Sequence, residues 1–66
     1  MLLTIDCGNT NTVFAVFAGK EKRGAWRTAT NVARTADEYA VWLTQLMALE
    51  GMELGDVTDV IVATVV

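Results

Sequence analysis

The sequence predicts a small α/β unit in which three strands, one helix and a fourth strand build a mixed sheet. Three observations carry that prediction. The apolar runs at residues 2–7 and 12–17 are separated by four turn-forming residues, too few for the crossover that a parallel pair requires. A single helical pattern stands between the third strand and the last, and it allows the last strand to return parallel to the first. The first and last runs are apolar on both faces, so they belong side by side, with the first strand central.

Each element has its own signal. Leu2, Leu3 and Ile5 make an interior strand that ends at Asp6 and Cys7. Gly8, Asn9, Thr10 and Asn11 favour a turn. Residues 12–17 are β-branched and aromatic, and they form the second strand. A turn over residues 18–21 leads to a third, half-exposed strand at 22–30. Alternation there puts Trp26, Thr28 and Thr30 on one face and Ala25, Arg27 and Ala29 on the other. Residues 31–34 are a connection. Thr35 and Glu38 have the spacing of a capping box, and Asp37 and Glu38 suit the positive end of a helix dipole. Ala36, Tyr39, Ala40, Leu43, Leu46 and Met47 recur as one apolar stripe, and Gly51 stands where a glycine cap ends a helix of residues 36–50. Gly55 and Asp56 turn the chain into the final strand, residues 59–66. This order opens the ribonuclease-H-like fold, and the same unit opens each half of the actin-like ATPases and sugar kinases.

Composition narrows the function classes. The chain has 66 residues, 53% hydrophobic and 20% charged, which excludes a disordered tail. Cys7 is the one cysteine, so no disulfide scaffold exists, and without His no ordinary zinc site can be assembled. Five Lys and Arg against eight Asp and Glu give a net charge of -3 and speak against nucleic-acid binding. No window reaches the roughly 20 apolar residues of a membrane span, and no signal peptide is visible. A lone cysteine fits a reducing, cytoplasmic setting. A chain this short is marginal by itself, so it either oligomerises or is a piece of something longer. The apolar run that stops at Val66 favours the second.

Asp6-Cys7-Gly8-Asn9-Thr10 is the segment that carries chemistry. A carboxylate at the end of a buried central strand is costly without a partner. Gly8 permits close approach of the backbone. Asn9, Thr10, Asn11 and Thr12 add side-chain donors beside free backbone N–H groups, a combination that forms an anion-binding concavity. Asp6 beside it suits Mg²⁺ held through water, at the mouth of a cleft. The alternative is a plain hairpin turn with Asp6 satisfying backbone N–H groups. Cys7 reads as a small core residue, since nothing near it would make a thiolate. Trp26 and Trp42 read as core or interface. Arg27 and Arg34 are solvated or salt-bridged, or else aimed at a phosphate or a partner.

These residues have a family resemblance. The run of residues 1–14 around Asp6, Gly8, Asn9 and Thr10 resembles the amino-terminal signature of type III pantothenate kinases. So do Trp26-Arg27, Arg34-Thr35-Ala36-Asp37-Glu38-Tyr39, and the ending Ala63-Thr64-Val65-Val66. The resemblance implies an enzyme that phosphorylates pantothenate from ATP, opening coenzyme A synthesis. It implies a divalent metal, a monovalent cation such as potassium or ammonium, and a cytoplasmic homodimer with two similar domains, residues 1–66 being the first part of the amino-terminal one and the second domain lying outside the chain. By position, Asp6 matches the acid of the first phosphate motif, and Gly8, Asn9, Thr10, Asn11, Thr12 and Val13 match the ATP-phosphate loop, with Cys7 between them where the family often has Val or Ile. The family's catalytic-base Asp, pantothenate pocket and cation site match nothing in residues 1–66. Some members were described as Bvg accessory factors, transcriptional regulators, and that role is the alternative reading, as is a non-catalytic actin-like scaffold.

Overall fold

The computed structural model describes residues 1–31 and 34–64. Three strands, β1 (Leu2–Cys7), β2 (Asn11–Ala18) and β3 (Glu21–Ala29), precede a helix, α1 (Ala36–Leu49). A single 3-10 turn at Leu54–Asp56 leads to β4 (Asp59–Thr64). The sheet order is β3-β2-β1-β4, with β1 antiparallel to β2 and parallel to β4. This is the small α/β unit with a mixed sheet that the strand pattern predicts. Val65 and Val66, expected in the last strand, lie outside the described residues, as do Val32 and Ala33 of the connection.

The helix ends follow the predicted chemistry. The Thr35 hydroxyl accepts from the Glu38 N–H, and Glu38 Oε1 accepts from the Thr35 N–H. At the other end Gly51 takes φ 74°, its N–H donates to the Ala48 carbonyl, and the Met52 N–H donates to that of Met47. Those two bonds make a Schellman cap, and the residue beyond the glycine, Met52, packs back into the core.

The core lies between α1 and one face of β1 and β2. Leu3, Phe14, Val16, Leu43, Met47 and Met52 are buried there. The Phe14 ring meets Trp42 edge-on at 5.2 Å and Tyr39 at 5.9 Å. Ala40, expected in the buried stripe, is exposed, because α1 sits over β1 and β2 and leaves its Ala40 side facing an open space beside β4. The side chain of Ala36, from the same stripe, lies outside the described residues. The N-terminal ammonium donates to the Asp56 carbonyl and the Thr58 N–H donates to the Met1 carbonyl, which sets the register of β4 on β1. Among the described residues no helix is long and apolar enough to cross a membrane.

Candidate functional site

The turn between β1 and β2 is held from three directions. The Gly8 N–H donates to the Asn11 carbonyl at 2.9 Å, and the Thr30 N–H donates to the Thr10 carbonyl at 2.9 Å. The Thr30 hydroxyl donates to the Gly8 carbonyl at 2.8 Å. Thr12 Oγ lies 2.9 Å from Thr30 Oγ and 3.6 Å from Cys7 Sγ. The backbone N–H groups of Asn9 and Thr10 make no hydrogen bond among the described residues. The close approach expected of Gly8 is present: a Cβ there would stand 3.1 Å from the Asn11 carbonyl oxygen.

Alternation along the strands divides the predicted loop between two faces. Cys7 and Thr12 pair with each other and face α1, where Thr12 is buried and Cys7 half-buried. Asp6 pairs with Val13 of β2 and Ala63 of β4, on the face without a helix. Val13 in turn pairs with Arg27 of β3, so Ala63, Asp6, Val13 and Arg27 form one row across that face. Asp6 and Arg27 are thus two strand spacings apart, about 10 Å. Both are exposed, and neither makes an ion pair among the described residues.

One expectation changes. Asp6 is not a buried carboxylate in need of a partner, since its face of the sheet is open. Among the described residues, Asp6 does not line the apolar groove beside α1. The large concavity, an apolar groove of about 500 Å³, opens on the other face between α1 and β4. Its walls include Ile5, Phe14, Leu43, Val60 and Val62, and only its end reaches Cys7, Thr12 and Thr64. Of the two arginines, Arg34 lies over the Tyr39 ring at 5.4 Å, a cation–π contact that fixes the start of α1. Arg27 lies on the Asp6 face and has no ion pair among the described residues.

The arrangement suits an anion and a hydrated cation. Asn9 and Thr10 offer two N–H donors that are free among the described residues, the Thr10 hydroxyl adds a third, and Asp6 offers a carboxylate with no ion pair among them at the end of the adjoining strand. Among the described residues no group of three carboxylate or cysteine side chains could hold a metal unaided. A divalent ion at Asp6 would need phosphate oxygens and water to complete its shell, the usual habit of Mg²⁺. Sequence reasoning gave Thr30 no role. The signal was present: Thr30 shares the parity of Trp26 and Thr28 and so falls on the face of Thr12.

Comparison with known proteins places this chain in a family. The family model described as Type III pantothenate kinase matches residues 2–66. A protein of Rhodospirillum rubrum named Type III pantothenate kinase is 65% identical over all 66 residues, which are 26% of its length. Proteins of the same name from Sphingopyxis alaskensis and Maricaulis maris are 61% and 54% identical over the whole chain, covering 25% and 26% of their lengths. The chain thus spans about a quarter of the length of these relatives. With the match running over nearly every residue, the chain belongs to the type III pantothenate kinase family.

Proposed function

We propose that this chain is the phosphate-binding opening of an ATP-dependent pantothenate kinase, and that the complete protein phosphorylates pantothenate to 4'-phosphopantothenate. The observation that carries the reading is the pairing of an exposed, unpaired Asp6 with the free N–H groups of Asn9 and Thr10 on one hairpin end. Family membership supports ATP as donor and pantothenate as acceptor. In this reading Asp6, Gly8, Asn9, Thr10 and Asn11 line the ATP phosphates, while Cys7, Thr12 and Val13 hold the strands that carry them.

Phosphoryl transfer asks the protein mainly for position and charge. The Asn9 and Thr10 N–H groups and the Thr10 hydroxyl hold phosphate oxygens in place. Asp6 would hold a hydrated divalent ion beside them, and when bound that ion would supply positive charge to the transferring group. The base for the alcohol, the pantothenate pocket and a monovalent-cation site belong to residues outside this chain. So does the second domain of a cytoplasmic homodimer. These finer parts rest on the family resemblance.

The test is Asp6→Asn in the complete protein. Turnover is expected to fall about a hundredfold or more, the scale of removing one charge-stabilising group from a transfer site. The KM for pantothenate should stay within about twofold, because Asp6 acts on the phosphoryl group and not on the acceptor. Unchanged turnover would remove Asp6 from the mechanism and return the segment to a plain hairpin turn.

A further inference from the structure

We propose that Thr30 is a positioning residue for the ATP phosphates, acting through the Gly8 carbonyl on the direction of the Asn9 N–H. The inference rests on the reading of the hairpin end as a phosphate loop, and it adds a residue from a different strand connection.

The geometry begins with the peptide between Gly8 and Asn9. A trans peptide is planar, so its C=O and its N–H point in opposite directions. No peptide bond among the described residues is cis. The Gly8 carbonyl is taken by the Thr30 hydroxyl at 2.8 Å. The Asn9 N–H is therefore aimed away from Thr30, out of the hairpin, and it has no partner among the described residues. Thr30 lies on the α1 side with Thr12, and Asp6 lies on the opposite side. Fixing one oxygen on the covered side thus aims one donor away from it.

The hydroxyls have one direction in which this works. Each carries one proton. Thr30 gives its proton to Gly8, so the 2.9 Å contact needs the Thr12 proton; Thr12 has two acceptors within reach, Thr30 Oγ at 2.9 Å and Cys7 Sγ at 3.6 Å, and the shorter contact to the harder oxygen takes it. Thr12 is only 4% exposed, which keeps water from competing for that contact. The Thr30 N–H, bonded to the Thr10 carbonyl, holds the same residue from its other side. Thr30 grips the turn at both Gly8 and Thr10, on either side of Asn9. A valine of the same shape would keep the packing and the backbone bond but release the Gly8 carbonyl. The Gly8–Asn9 peptide would then be free to rotate, and the donor would be ordered only when ATP binds.

The experiment compares wild type, Thr30→Val and Thr30→Ser in the complete protein. With ATP varied, Thr30→Val should raise the KM for ATP about three- to tenfold, the worth of one ordered hydrogen bond, and leave the KM for pantothenate unchanged. Thr30→Ser, which keeps the hydroxyl, should stay within about twofold of wild type. A purely structural role would lower kcat through a smaller active fraction and leave both KM values alone, and that pattern would overturn the inference. A second readout does not depend on turnover: the Asn9 amide resonance, followed during an ATP titration with Mg²⁺. It should move in wild type and Thr30→Ser, and move only at higher ATP in Thr30→Val. An Asn9 signal that ATP does not move in the wild type overturns the inference, whatever the kinetics. Absent pantothenate phosphorylation with an Asn9 signal that depends on Thr30 would instead sink the kinase reading and leave the positioning role standing.

Discussion

β2 and β4 flank the same strand, and they are buried to opposite degrees. In β2, Thr12, Phe14, Ala15 and Val16 are buried. In β4 all six residues are exposed, with Val60 at 54%, Ile61 at 57% and Val62 at 61%. The sequence of β4, DVIVAT, is as aliphatic as that of β2, NTVFAVFA. Strand hydrophobicity therefore does not decide burial here. β2 has a strand on each side and α1 above it, whereas β4 is an edge with an open groove between it and the helix. An apolar edge exposed on both faces is the part of this unit that calls for further structure.

The largest test of that contrast lies under the helix. Met47 is fully buried against Leu3, Val16 and Met52. Met47→Ala should cost about 2–5 kcal/mol, the range for emptying a packed site, as measured by denaturant unfolding of the complete protein. A cost below ~1 kcal/mol would mean that α1 is not what buries β2. Next comes Gly24, which pairs with Val16 beside the irregularity in the β2–β3 ladder. A Cβ there would stand 2.7 Å from the Trp26 ring and 3.3 Å from the Met52 methyl. Gly24→Ala must displace the indole, and about 1–3 kcal/mol of destabilisation is expected. Quenching or a shift of tryptophan fluorescence in the folded variant would report the displacement.

What the sequence makes legible here is whatever depends on local spacing. The four-residue turn dictates an antiparallel β1–β2 pair, and the Thr35–Glu38 spacing and Gly51 mark both ends of α1. Asp6 and its loop stand out because acid, glycine and turn donors are adjacent in the chain. Three features are not local and escape such reading. Asp6 is exposed because no element among the described residues packs on its face, which no residue near it announces. Ala40 is exposed because the helix is set over β1 and β2 and not over β4. Thr30 reaches Gly8 across a sequence separation of 22, and its hydroxyl looks like that of any strand threonine. Alternation gives its face, but the partner depends on how β3 ends beside the turn.

A smaller effect is expected at the start of α1. Thr35→Ala removes the acceptor for the Glu38 N–H and frees the Glu38 carboxylate from the reciprocal bond. A cost of about 1 kcal/mol is typical of a lost N-cap. The cation–π contact of Arg34 with Tyr39 sits at the same end, so amide exchange should rise first over the opening turn of α1 and not in β2. Uniform loss of protection over the whole helix would mean that the cap holds more than its own turn.

The smallest effect should fall on β4, and it sharpens the contrast most. Val62 pairs with Ile5 on the face of the groove and stands 61% exposed in this chain. In the 66-residue chain by itself, Val62→Ala should change unfolding free energy by no more than about 0.5 kcal/mol, as for other exposed positions. The same substitution in the complete protein should cost about 1–3 kcal/mol if the rest of the chain fills the groove beside Val62. The chain alone should also self-associate through this edge, and Ile61→Lys should suppress that, because a charge on an apolar edge blocks pairing. Sedimentation of the wild-type and Ile61→Lys chains reads the association directly. A monomeric wild-type chain, together with equal Val62→Ala costs in both contexts, would show that β4 is tolerated as a bare edge. The difference between the two neighbours of β1 would then lie in the helix alone, and not in anything the complete protein adds.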